Sequence, residues 1–293
     1  MRRSLFLILI LLAFGLACGS SDDQPKASSP SPSPAPASSP AATSATVVTT
    51  VSASADEPLY IALGDSLSEG VGATDAPSTA FVPLVHQGLG DGVGLLNLGE
   101  SGDTSAQLLS HGHVDAAVAE IEKRKTDGDP NNDVTLVTLE IGGNDLLNLY
   151  FQLVLPGTCP NITEALKKPQ CVDELRGALD AFRPNLRAAL DRLQAADADL
   201  RIVLMTLYNP FSGGIQAFDP VGQLALEGTP DTPFTEGLND GIRAQAIESG
   251  VMLADIYPLF VGKAGEYISQ DLIHPNDKGY GVMADAVLAA LGQ

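Results

Sequence analysis

Four short stretches of this chain hold side chains that could do chemistry together: Gly64-Asp65-Ser66-Leu67, Ser101-Gly102, Gly143-Asn144-Asp145 and Asp271-Leu272-Ile273-His274-Pro275. Nucleophilic acyl transfer needs a hydroxyl, a base to take its proton and a group that fixes the base's tautomer. It also needs fixed donors where negative charge develops on a carbonyl oxygen. Ser66 can supply the hydroxyl and His274 the base. Asp271, three residues earlier, can accept the imidazole N–H within one local turn. Pro275 favours an extended backbone at His274, which suits a side chain projecting from a loop. The Ser66 N–H, the Gly102 N–H and the Asn144 side-chain amide are the candidate oxyanion donors. A side chain at position 102 would crowd the substrate carbonyl, which is a reason for glycine there. Each stretch alone also reads as an ordinary turn or a hydrogen-bonded pair, so their joint placement decides.

That placement depends on the elements between them. Apolar runs at 59–63, 93–98, 134–141, 201–207 and 251–256 have the length and β-branched content of buried strands. Helical spacing links Phe81, Val85 and Leu89, then Val114, Val118 and Ile121, and then Leu175, Leu179, Leu186, Leu190 and Leu193. Pro184 is expected to break or restart the last of these, because an internal proline removes a hydrogen bond and clashes. Phe234, Leu238, Ile242 and Ile247 suit a further helix, and 282–291 the last. Such alternation predicts an α/β fold, a three-layer α/β/α sandwich around a parallel sheet. Every candidate stretch then falls at or beyond the carboxyl end of a strand, the rim where open parallel sheets bind ligands. His111 and His113 flank Gly112 between two helical segments and read as structural. No metal and no cofactor is expected.

The four stretches resemble, in order, the signature blocks of the SGNH/GDSL hydrolase family, over the whole chain from Leu59 onward. The resemblance implies a flavodoxin-like, five-stranded parallel sheet, the SGNH hydrolase fold, and serine esterase or lipase chemistry. It implies Ser66 as the nucleophile that carries an acyl-enzyme, His274 as base and Asp271 as its orienter. It also implies the oxyanion donors at Ser66, Gly102 and Asn144. The Gly-x-Ser-x-Gly elbow of α/β-hydrolases is absent, since Ser68 stands two residues after Ser66.

The segment from Leu146 to Val172 has no counterpart in the βα alternation. It follows directly on Asn144, so it should overhang the rim, either as an apolar wall for an acyl chain or as a helix packed on the core. Tyr208-Asn209-Pro210-Phe211 is a second candidate wall, followed by a Gly213-Gly214 loop expected to be mobile. Apolar walls favour acyl or lysophospholipid-like esters as substrates. The alternatives are an acetylesterase acting on polysaccharide, or a solute-binding lipoprotein without turnover.

The beginning of the chain is similar to a bacterial lipoprotein signal: Met1-Arg2-Arg3, an apolar run, then Gly15-Leu16-Ala17-Cys18. Residues 1–17 are expected to be the signal, Cys18 the lipidated residue, and 18–57 a Ser/Pro/Ala-rich tether too polar to repay its ordering. Residues 58–293 form the expected catalytic domain. The protein should be extracytoplasmic and held to a bacterial membrane by its lipid, or secreted if Cys18 is not lipidated. Outside the cytoplasm Cys159 and Cys171 should pair as a disulfide. A net charge of −20, from 36 acidic and 16 basic residues, argues against nucleic-acid partners and against charge-driven binding to anionic lipid. Oligomeric state is not legible in these features.

Overall fold

The chain's structure is a computed structural model that describes Thr49–Val51 and residues 56–293. The expected signal, Cys18 and most of the expected tether lie outside the described residues. Six strands form one sheet: β1 (Thr49–Val51), β2 (Leu59–Gly64), β3 (Gly94–Asn97), β4 (Val134–Glu140), β5 (Ile202–Met205) and β6 (Met252–Ala254). Their order is β1-β3-β2-β4-β5-β6, with β2 to β6 all parallel. The five parallel strands thus have the flavodoxin-like order expected. Strand β1, within the stretch read as tether, is an addition that pairs antiparallel with β3, Thr50 opposite Leu96.

All six residues of β2 are buried, as a central strand covered on both faces requires. Its alternation divides the core. Leu59, Ile61 and Leu63 face one apolar cluster, while Tyr60 and Ala62 face another. The first cluster holds the helices His113–Thr126, Pro169–Ala196 and Leu238–Ser249. The second holds Phe81–Leu89 and Asp277–Ala290. Chain direction reverses after β3, which opens a crevice between the carboxyl ends of β2 and β4. The register sets Gly64 beside Glu140, so the loops carrying Ser66 and Asn144 leave the sheet at one level.

Two helical expectations are corrected. Pro184 lies inside one continuous helix, Pro169–Ala196, and does not divide it. Phe182, Leu186 and Leu190 are buried on either side of it, while Pro184 and Asp180, whose carbonyl loses its partner, are both exposed. Tertiary burial holds the helix together, and water can reach the freed carbonyl. Ile247 does not belong to the apolar stripe of Leu238–Ser249 and is 82% exposed. Nine residues after Leu238, at 3.6 residues per turn, it falls on the opposite side of the helix. Gly213 has a packing role besides the loop freedom expected of it. A Cβ there would lie 2.6 Å from the Gly262 backbone, so glycine at 213 serves close packing of two chain segments.

Candidate active site

Strand β2 ends at Gly64, and Asp65 caps a four-residue helix, Ser66–Glu69, by accepting the Leu67 N–H at 3.1 Å. This turn sets Ser66 at the sheet rim, 7% exposed. Its Oγ lies 2.9 Å from His274 Nε2, and His274 Nδ1 lies 2.7 Å from Asp271 Oδ2. The three side chains expected to act together are therefore in one hydrogen-bonded chain, although Ser66 and His274 are 208 residues apart.

The turn from Asp271 to His274 is held by the carboxylate itself. Asp271 Oδ1 accepts the N–H groups of Ile273 and His274, both at 2.9 Å, and the Ser269 hydroxyl at 2.8 Å. Burial would raise this carboxyl, but the Ile273 N–H, the His274 ring and N–H and the Ser269 hydroxyl outweigh it and hold it down at about 2. The carboxylate is thus ionised wherever the protein is folded and working. Leu272, between them, adopts φ +68°, a conformation uncommon for a leucine. From behind, the buried Tyr208 hydroxyl donates to the Ile273 carbonyl at 2.8 Å. Burial, followed by the nearby Tyr280 and acidic groups, keeps that phenol protonated far above its ordinary value.

Asn144 is half-buried at the end of β4, and its amide donates to Asp65 Oδ2 at 3.1 Å and to the Asp103 carbonyl at 2.9 Å. Gly102 lies on the loop that carries Asp103, exposed and apart from the apolar cleft described below. A Cβ at Gly102 would meet nothing within 4 Å, and the backbone there has φ +91°. The loop's left-handed turn is a sufficient reason for glycine, beyond the crowding expected from sequence. Asn97 ties the same loop to the helix that Ser66 begins, accepting the Gly99 N–H and donating to the Ser68 carbonyl at 2.6 Å.

One acid beneath the site went unremarked in the sequence. Glu140, the last residue of β4, is fully buried against Asp65. Burial first, then the Asp65 charge, pushes its carboxyl well above the usual range, and burial raises Asp65 as well. One proton held between the two carboxyls spares the pair a second buried charge. The signal available in the sequence was an acid closing an otherwise apolar strand. Glu100, Asp103, His111 and His113 also come together, and among the described residues they form the group with ligand atoms close enough to hold a metal ion.

Ser66 and His274 stand at the mouth of a deep apolar cleft. The segment after Asn144 forms one wall through Leu146, Tyr150, Leu153 and Val154, with a π-helical turn at Tyr150–Val154. Leu146 and Ile162 also pack on the core, so wall and packing roles coincide. Tyr208, Pro210 and Phe211 form the facing wall, and the rings of Tyr150 and Phe211 meet with centres 5.3 Å apart and planes tilted by 35°. Cys159 and Cys171 form a disulfide that lines the cleft and joins the wall to the start of the long helix.

A model of the GDSL-like lipase/acylhydrolase family matches residues 62–282. A spore germination lipase, LipC of Bacillus licheniformis, is 25% identical over 239 residues, covering 79% of this chain and 95% of that protein. The fold is similar to an extracellular lipase from Streptomyces rimosus (TM-score 0.56, 18% identity, 80% of this chain and 99% of that one). It is also similar to a phospholipase A1 from Streptomyces albidoflavus (TM-score 0.54, 19% identity, 80% and 99%). The family match spans both ends of the candidate site, from the strand before Ser66 to the helix after His274, and the chain belongs to the GDSL-like lipase/acylhydrolase family.

Proposed function

We propose that the protein is a carboxylic ester hydrolase working through an acyl-enzyme on Ser66, with acyl-chain esters, including lysophospholipid-like ones, as its substrates. The hydrogen-bonded chain Ser66–His274–Asp271 at the mouth of an apolar cleft carries this reading. Ser66 Oγ attacks the ester carbonyl carbon as His274 Nε2 takes its proton, and the ionised Asp271 stabilises the imidazolium. Ser66 heads its helix, so its N–H has no partner within that helix and is free for the oxyanion; an Asn144 amide hydrogen released from Asp65, and the Gly102 N–H brought over by its loop, complete the donor set. A proton shared with Glu140 weakens the Asp65 carboxylate's competition for the Asn144 amide. Collapse of the tetrahedral intermediate expels the alcohol with the proton from His274. Water then repeats the sequence and releases the acid.

Two observations favour acyl chains over acetyl groups: the apolar walls of the cleft that Ser66 lines, and a relative whose name is that of a lipase. The purified chain, treated with a fluorophosphonate, should carry the label on Ser66 by mass spectrometry, and His274→Ala should lose it. A folded protein without label would turn the reading toward a solute-binding lipoprotein. Across p-nitrophenyl esters of rising acyl length, kcat/KM should rise from acetate to medium chains. A maximum at acetate would instead support an acetylesterase acting on polysaccharide.

A further inference from the structure

Two tight turns behind the candidate oxyanion loop bring four ligand-type side chains together. Glu100 and Asp103 come from the loop after β3, with the Asp103 N–H donating to the Glu100 carbonyl at 3.2 Å. His111 and His113 come from the turn between the helices Ser105–Ser110 and His113–Thr126, where Gly112 adopts φ +86°. The side chains alternate around a ring. His113 Nε2 lies 3.0 Å from Glu100 Oε2 and 3.2 Å from Asp103 Oδ2. His111 Nδ1 lies 2.9 Å from Asp103 Oδ1 and 3.7 Å from Glu100 Oε1. One ligand atom from each residue can be chosen so that all lie within 4.8 Å of one another.

We propose that Glu100, Asp103, His111 and His113 form a binding site for a divalent transition-metal ion of the zinc type, which clamps the loop bearing Gly102 to the two helices behind it. Tetrahedral zinc with nitrogen and oxygen ligands at about 2.0–2.2 Å holds them about 3.4 Å apart, so closure around an ion needs only small side-chain movements. Two carboxylates and two neutral imidazoles carry a charge of −2 that a divalent ion balances. Paired imidazoles exclude the all-oxygen preference of Ca²⁺ and Mg²⁺. A second observation separates a metal site from a plain ion-pair ring. His113 is 1% and Asp103 2% exposed, yet His113 Nε2 and Asp103 Oδ2 make no hydrogen bond among the described residues. They face each other at ion-pair distance without hydrogen-bond alignment, as two ligands of one ion would. This site departs from the expectation that His111 and His113 are merely structural.

The loop it would clamp is the one whose Asp103 carbonyl accepts from Asn144 and whose Glu100 N–H donates to the Gly64 carbonyl at 3.2 Å. Any effect on turnover rests on the hydrolase reading, but binding does not. The test uses the full chain, stripped with EDTA and titrated with ZnCl₂ by calorimetry, beside thermal unfolding with and without zinc. Wild type should bind one ion per chain with micromolar or tighter affinity and gain Tm, while equal Mg²⁺ does neither. His111→Ala, at an exposed turn position, should stay folded and lose at least about ten-fold in affinity; Asp103→Asn should do the same. The proposal is overturned by the lack of a saturable one-to-one site in wild type. It is equally overturned by a site whose affinity neither variant changes, which would place the ion elsewhere, such as at His274 and Asp271.

Discussion

A single carboxylate organises the base of the candidate site. Asp271 uses one oxygen to orient His274 and the other to close the turn that presents it. Its carboxyl is lowered from 3.8 to about 2, so it contributes stability that is present above the ordinary value and lost as pH falls through about 2. The Asp65–Glu140 pair has the opposite sign. Both carboxyls are raised, so their contribution is full below the ordinary carboxyl range and lost as pH rises through the folded values. Glu140→Gln takes the second buried charge away from the pair. Its Tm should exceed that of wild type at pH 9 and the two should converge near pH 4, with about 2–4 °C for each kcal/mol relieved. Thermal unfolding of both proteins across that range checks the sign. For chemistry, Ser66→Ala and His274→Ala should remove nearly all ester turnover with the fold intact. Asn144→Ala should lower kcat about 10²–10³-fold if its amide serves the oxyanion. Steady-state kinetics with one soluble ester distinguish these outcomes from a general loss of structure.

Two elements do most to shape the cleft: the segment 145–172 and the long helix Pro169–Ala196 that it feeds. The disulfide Cys159–Cys171 closes a short loop between them, and cross-links of that size stabilise by up to about 3 kcal/mol. Replacing both cysteines with alanine should loosen the wall bearing Tyr150 and Leu153 and leave the Ser66–His274–Asp271 geometry in place. The expected outcome is a larger rise in KM for long-chain esters than for acetate, with kcat for acetate little changed. An equal loss on both substrates would show that the wall supports the catalytic residues and does not select the chain.

Charge and anchoring belong to the whole molecule. No helix among the described residues is long and apolar enough to cross a membrane. The lipoprotein reading proposed from the sequence puts attachment on Cys18, and it predicts that Cys18→Ser moves the protein from the membrane fraction to the soluble one in cells. With a net charge of −20, electrostatic retention on anionic lipid should not replace the lost anchor. Fractionation followed by immunoblotting gives the answer directly.

The sequence by itself determined the five parallel strands, their alternation with helices and the side chains placed at their carboxyl ends, but not β1. Those features are local: apolar runs of strand length, and unlike residues where the runs stop. Ser66, Asn144, Asp271 and His274 stood out as candidates for that reason, while the Cys159–Cys171 pairing followed from an even pair of cysteines expected outside the cytoplasm. Only the tertiary structure decided what depends on chain segments far apart. Burial on both sides kept the helix whole through Pro184. The register of β2 with β4 pressed Glu140 against Asp65, so an acid at a strand end became half of a buried carboxyl pair. Gly213 proved to be a point of close backbone packing, because the segment it meets, at Gly262, is remote in the chain. His111 and His113 likewise look like an unremarkable turn until the loop after β3 folds Glu100 and Asp103 onto them. Strand periodicity records which residues are buried, but which buried groups face one another is set by packing.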